Sequence, residues 1–178
     1  MYRERIKKVL ISESEIKSKI KEIAAEINME YVNKQPILIG ILKGAFVFLA
    51  DLSRELTIPH SVEFMDVSSY GDDVETSGIV KIEKDIDHSI TSEDVILVDD
   101  IIDTGLTMNY ISNYLKSHKP SSIKMCSFLS KPSRRVVKIN PDFLGFEIPD
   151  EFVIGYGLGH KGLYRNLKYI AILDEKYY

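Results

Sequence analysis

Asp99, Asp100 and Asp103, followed by Thr104, Gly105 and Thr107, bring three carboxylates and two hydroxyls into nine consecutive residues. Adjacent carboxylates repel, so a solvated turn or a bound cation suits Asp99 and Asp100 better than a dry core. Asp103–Thr107 reads as a short loop in which Gly105 lets the chain approach an anion closely, while Thr104 and Thr107 add hydroxyl donors. A ligand carrying a phosphate at one end and sugar hydroxyls in its middle satisfies both halves.

The flanking residues supply the elements that position this chemistry. Val95–Val98 is a continuous, β-branched apolar run, the pattern of a strand buried on both faces of a parallel sheet, and the acidic pair sits where that strand is expected to end. A helical pattern then begins with Met108, Ile111 and Leu115. Strand, acidic pair, glycine-containing loop and helix build an anion site, because N–H groups in a helix's first turn lack intrahelical partners and lie at the positive end of its dipole. The stretch is neither the Gly-x-x-x-x-Gly-Lys-Ser/Thr loop of nucleotide triphosphatases nor a Gly-x-Gly-x-x-Gly dinucleotide turn, and neither is expected elsewhere in the chain.

The thirteen residues Val95–Thr107, Val-Ile-Leu-Val-Asp-Asp-Ile-Ile-Asp-Thr-Gly-Leu-Thr, resemble the signature of the type I phosphoribosyltransferases. The resemblance runs from about Ile37 to about Asp174. It narrows to the hypoxanthine-guanine branch at Phe146–Tyr156, which reads Phe-Glu-Ile-Pro-Asp-x-Phe-Val-x-Gly-Tyr. It implies transfer of a 5-phosphoribosyl group from 5-phosphoribosyl 1-diphosphate to hypoxanthine or guanine with Mg2+, giving IMP or GMP and diphosphate. The same resemblance assigns the phosphoribosyl group to Asp99, Asp100, Asp103, Thr104, Gly105, Leu106 and Thr107, the metal to Asp99 and Asp100, and proton transfer to Asp103. Diphosphate falls to Lys43, Gly44 and Arg165, with a cis peptide implied at Leu42–Lys43. The purine falls to Lys131, which donates to its 6-oxo group, to Phe152, which stacks on it, and to the backbone of Val153. Ser69 and Tyr70 match a pair on a mobile loop, here 68–77. Two positions depart from the family pattern. Gly159 stands where an aspartate is common, close to metal and diphosphate, and Asp99 where glutamate is frequent.

Elsewhere the chain reads as scaffold. Ser12 and Glu15 form a capping box ahead of Ile16, Ile20, Ile23, Ala24 and Ile27, which share one helical face. After Pro36, Ile37–Leu42 is a second buried strand, ending in the turn Lys43–Gly44–Ala45. Phe46, Leu49, Ala50 and Leu52 suggest the helix that follows. Further strands are expected at Ser61–Val67, Ile79–Ile82, Ile123–Leu129 and Tyr169–Leu173. The polar stretch from Ser68 to Ser77 reads as a flap or a plain hairpin connection. Lys131 lies just past a strand end, and strand ends in such sheets converge on the ligand crevice. His88 and the run Arg134, Arg135 and Lys138 are expected to be solvated.

The expected fold is α/β: a mainly parallel twisted sheet flanked by helices, with a small hood made from the chain termini and residues 149–165. At 178 residues, 44% hydrophobic and 28% charged, the chain reads as a single globular domain, 1–178. A net charge of −4 argues against general nucleic-acid binding. Cys126 is the only cysteine, which excludes an intramolecular disulfide and reads as a small core residue. No stretch approaches the ~20 apolar residues of a membrane span, so a cytoplasmic protein is expected. The resemblance further implies a homo-oligomer, dimer or tetramer. Rival readings are a phosphoribosyltransferase for xanthine or a pyrimidine, and a nucleotide-sensing regulator that does not catalyse.

Overall fold

The computed structural model describes residues 3–69 and 80–178. Its elements run β1 (Ile6–Ile11), α1 (Glu13–Glu30), β2 (Ile37–Leu42), α2 (Phe46–Glu55), β3 (Ser61–Ser69) and β4 (Val80–Lys84). There follow β5 (Asp94–Ile102), α3 (Leu106–Lys116), β6 (Ser122–Ser130), β7 (Phe143–Glu147), β8 (Val153–Ile154) and β9 (Ile170–Leu173). Strands β4-β3-β2-β5-β6-β7 form the main sheet, parallel except for β4 at one edge. A second, antiparallel sheet, β1-β9-β8, joins both ends of the chain to the 149–165 region and makes the expected hood.

The apolar run in β5 is continuous because helices cover both faces of the sheet. Ile96 and Val98 pack in one cluster with Ile16, Ile20 and Ile23 of α1 and Phe48, Leu49 and Leu52 of α2. Val95 and Leu97 point the other way and pack with Met108, Ile111 and Leu115 of α3. Two-residue alternation thus sends neighbouring side chains to opposite layers, and neither layer is wet. Cys126 is fully buried in the first cluster, where burial pushes its thiol pKa far up and leaves it inert.

Strand β5 does not end at the acidic pair, as the sequence suggested, but runs on to Ile102. Its pairing with β6 persists through Asp99↔Ser127, Ile101↔Leu129 and Ile102↔Ser130, whereas its pairing with β2 stops at Gly40↔Val98. Beyond Val98 one neighbour has left, and a crevice opens at the strand ends.

Several other boundaries move. α3 begins at Leu106, two residues before its apolar pattern, β3 extends to Ser69, and the strand expected at Ile79–Ile82 runs from Val80 to Lys84. Tyr70 and most of the 68–77 loop lie outside the described residues. In α2, Phe48 with Leu49 and Leu52 faces inward, while Phe46 is 43% exposed and Ala50 is exposed, contrary to the expected face. β1 and β7 were not anticipated. Ile6–Ile11 is half lysine and valine facing outward, and only its pairing with β9 makes it a strand.

Helix α1 carries the capping box in full. Ser12 Oγ accepts from the Glu15 N–H at 3.3 Å, and Glu15 Oε2 accepts from the Ser12 N–H at 2.8 Å. Replacing Ser12 with Ala should cost about 1 kcal/mol and lower the denaturation midpoint, measured by urea titration, with ligand binding intact because the cap is remote from the crevice.

Candidate active site

A cavity of about 240 Å3 opens at the crevice, lined by Asp99, Asp100, Asp103, Thr104, Gly105 and Thr107 together with aliphatic side chains of β2 and β5. Gly105 serves as the N-cap of α3 at φ 85°, a conformation that favours glycine, so the loop turns directly into the first turn of the helix, where the Leu106 N–H donates to Thr104 Oγ1 at 3.4 Å. A Cβ here would also meet Ile139 at 2.6 Å and Val137 at 3.0 Å. Leu106 is half-buried at the first helical position and is not among the lining side chains.

The acidic pair is not in a solvated turn. Asp99 is 7% exposed and Asp100 half-buried. Burial pushes the Asp99 carboxyl well above the usual carboxylate range, and the neighbouring Asp100 charge adds to it. Burial raises Asp100 too, opposed by hydrogen bonds from Asp99 and from the Ile101 N–H, the latter at 2.8 Å, and by the charge of Arg165. Burial and proximity thus make simultaneous ionisation of the two carboxyls unfavourable, most strongly at Asp99. Among the described residues no group of three or more His, Cys, Asp or Glu side chains gathers for a metal. Two hard carboxylates under mutual repulsion nonetheless fit a magnesium ion whose remaining ligands come from substrate and water.

The Lys43–Gly44 turn abuts this pair, after a cis peptide at Leu42–Lys43. A Cβ on Gly44 would fall 1.6 Å from Asp100 Oδ2, so only glycine lets the turn lie against the carboxylate. On its far side Gly157, at φ 96°, leaves room for the Gly44 carbonyl, which a Cβ there would approach to 2.1 Å. Arg165 Nη1 donates to the Gly157 carbonyl at 2.7 Å. Its side chain fills the space beside Gly159, where a Cβ would meet Arg165 Cγ, Nε and Cζ at 2.9 Å. Gly159 and the folded-back arginine are thus complementary. Residues 157–162 do carry the Gly-x-Gly-x-x-Gly spacing, overlooked in the sequence. They lie between β8 and β9 in turns and isolated bridges with no helix following, which is not a dinucleotide turn.

Asp103 faces a second cavity of about 560 Å3, lined also by Lys131, Arg134, Asp150 and Phe152. Lys131 is 8% exposed, with Nζ 4.0 Å from Asp103 Oδ2 and 3.5 Å from Asp150 Oδ1. Phe152 is 37% exposed, and Val153 beside it is buried in β8. His160 packs edge-on against Phe152, with ring centroids 5.2 Å apart. Lys43 is exposed, and Arg165 lines neither cavity; it borders a separate one of about 450 Å3 with Phe46, Val47 and Tyr156. Ser69 closes β3, while its partner Tyr70 lies outside the described residues.

Of the basic run, Arg134 and Lys138 are exposed as expected, and only Arg135 is drawn into the fold. Arg134 Nε sits 3.1 Å from Asp103 Oδ1. Arg135 donates to the Ile102 carbonyl at 2.6 Å, to the Asp103 carbonyl, to the Ile139 carbonyl at 3.3 Å and to Ser130 Oγ at 2.8 Å. The Val136 N–H adds a bond to the Thr104 carbonyl at 3.0 Å. Arg135 therefore staples the anion loop to the end of β6, a role that sequence reasoning missed because charge spacing carries no sign of it.

The Phosphoribosyl transferase domain model matches residues 11–161 of the chain. A hypoxanthine-guanine phosphoribosyltransferase of Bacillus subtilis is 48% identical over 178 residues, covering 100% of this chain and 99% of its own. One from Aquifex aeolicus is 49% identical over 169 residues, covering 94% and 95%. A solved hypoxanthine phosphoribosyltransferase of Staphylococcus aureus superimposes with a TM-score of 0.96 at 41% identity, over 99% of this chain and 96% of that one.

Two outcomes are expected. Asp99→Asn removes a buried carboxyl whose pKa is higher folded than unfolded, so wild-type stability falls as pH climbs above the unfolded value of about 4. The ligand-free Asn variant should be more stable by about 1–2 kcal/mol at neutral pH, by an advantage that shrinks toward pH 4 and is read from thermal midpoints across pH. Arg135→Ala should cost about 2 kcal/mol and speed amide hydrogen exchange at 104–106, because the carbonyls of Ile102, Asp103 and Ile139 lose a charged donor.

Proposed function

We propose that this chain, which belongs to the hypoxanthine-guanine phosphoribosyltransferase family, transfers the 5-phosphoribosyl group of 5-phosphoribosyl 1-diphosphate to hypoxanthine or guanine in purine salvage. The products are IMP or GMP and diphosphate. One observation carries the assignment of parts: Asp103 borders both cavities, the one with hydroxyl and backbone donors and the one with Lys131 and Phe152. A donor in the first and a base in the second would meet beside its carboxylate.

In this reading the 5-phosphate lies on Thr104–Thr107 at the start of α3, and the ribose hydroxyls face Asp99 and Asp100. Lys43, Gly44 and Arg165 receive the diphosphate, whose negative charge grows as its bond to the anomeric carbon lengthens. Asp99 and Asp100 would hold the magnesium ion, which would supply positive charge toward that leaving group. Lys131 donates to the purine 6-oxo group, the Val153 backbone meets its exocyclic edge and Phe152 packs on its face. Asp103 accepts the proton from the imidazole side as the other imidazole nitrogen attacks. Its ion pairs with Arg134 and Lys131 support the role, since they hold the carboxylate between the two cavities. The main sheet and hood act as one unit. No helix among the described residues is long and apolar enough to cross a membrane; cytoplasmic action as a homo-oligomer follows from the family alone.

The test is a steady-state assay with 5-phosphoribosyl 1-diphosphate and magnesium, offering hypoxanthine, guanine, xanthine, adenine and uracil in turn. Turnover of the two oxopurines ahead of the rest is expected. Preference for xanthine or uracil would reassign the base, and donor binding without turnover would favour a regulator. Asp103→Asn should lower kcat by about a hundredfold or more while donor KM holds; unchanged turnover would remove Asp103 from proton transfer.

A further inference from the structure

The cavity of Asp103 and Lys131 is lined almost entirely by charged side chains, and the rings on its wall are those of Phe152 and Tyr178. Their centroids lie 5.1 Å apart at an interplanar angle of 42°, so they touch and form one bent apolar surface. Neither ring is spent on the core, since Phe152 is 37% and Tyr178 50% exposed. A flat heterocycle entering a cavity of carboxylates and cations finds its π-contacts on this pair.

Tyr178 is held there by several elements. The Asp174 N–H donates to the Arg5 carbonyl at 2.9 Å, and Asp174 Oδ1 caps the short 3-10 turn Glu175–Tyr177 by accepting from the Lys176 N–H at 3.1 Å. Arg5 stacks over the Tyr177 ring at 5.2 Å, and the Leu173 N–H donates to the Phe152 carbonyl at 3.0 Å. The last strand of the hood thereby fixes the two aromatic residues relative to one another. Behind Phe152, His160 packs edge-on and leaves Tyr178 as the ring beside the cavity.

We infer that Tyr178 is a base-binding residue, the second wall of an aromatic corner with Phe152 against which the purine packs. The inference rests on the phosphoribosyl-transfer reading but assigns a residue that neither the signature stretch nor the Phe146–Tyr156 pattern contains. Its ring carries the effect, because ring packs against ring, while the hydroxyl is engaged with the Phe152 backbone.

The experiment compares wild type, Tyr178→Ala and Tyr178→Phe in the full chain. Loss of one stacking contact should raise KM for hypoxanthine and guanine about fivefold in the Ala variant, with KM for 5-phosphoribosyl 1-diphosphate and the thermal midpoint holding. The Phe variant should recover most of that loss. An unchanged or lowered base KM in Tyr178→Ala would overturn the inference, the latter showing that the ring occupies the base's position. A parallel rise in both KM values with a lower midpoint would also overturn it, in favour of a purely structural role. Because the chain has no tryptophan, Tyr178→Trp adds a readout independent of turnover. Its fluorescence should quench saturably with GMP, and an unresponsive signal would count against the inference. If wild type turned over no base, the functional reading would fail by itself, and the tryptophan titration would still decide whether Tyr178 meets a purine.

Discussion

Two carboxylates on consecutive residues of the central strand, withdrawn from water, are the constraint around which the site is arranged. Asp99 and Asp100 cannot both ionise cheaply where they stand, because burial and their mutual charge disfavour it, so the pair is poised for positive charge. That poise depends on strand order. β5 keeps β6 on one side and loses β2 on the other after Val98, so the pair projects into a crevice whose walls are otherwise buried sheet. The Lys43–Gly44 turn fills the place β2 vacates, and glycine is required there because Asp100 already occupies the position of a side chain.

Rigidity around the crevice is supplied from a distance in sequence. Arg135 holds the carbonyls of Ile102 and Asp103, and Gly105 is packed beneath Val137 and Ile139, so the connection after β6 acts as a brace for the loop after β5. The hood does the same for the opposite side: Gly157 seats Gly44, and Tyr156 donates from its hydroxyl to Asp51 Oδ2 of α2 at 2.9 Å. Phe128 of β6 lies 4.8 Å from Phe48 and 5.0 Å from Tyr156, joining sheet, helix and hood in one aromatic cluster. Preorganisation of this kind is what transition-state stabilisation requires, since groups already in place need no reorganisation as charge develops.

The absence of a carboxylate at position 159 has a local answer in the structure. Arg165 folds into the freed space and is held by the Gly157 carbonyl, with Asp100 as the acid whose charge it feels.

Local pattern alone determined a good part of this protein. The capping box at Ser12 rests on contacts within a few residues, and the inward face of α1, the buried runs at Ile37–Leu42 and Val95–Val98 and the loop at Asp103–Thr107 are marked by periodicity and residue type even though distant partners hold them. The extension of β5 through its acidic pair, the strand character of β1 and the placing of Tyr178 against Phe152 were decided only in the folded chain. Each depends on a partner far away in sequence: β6 for β5, β9 for β1, the end of the chain for Phe152. The basic run shows the limit most plainly. Arg135 looks like part of a solvated face because charge by itself favours water, and only the tertiary fold brings the loop carbonyls close enough to outcompete it, while Arg134 pairs with Asp103 and stays exposed.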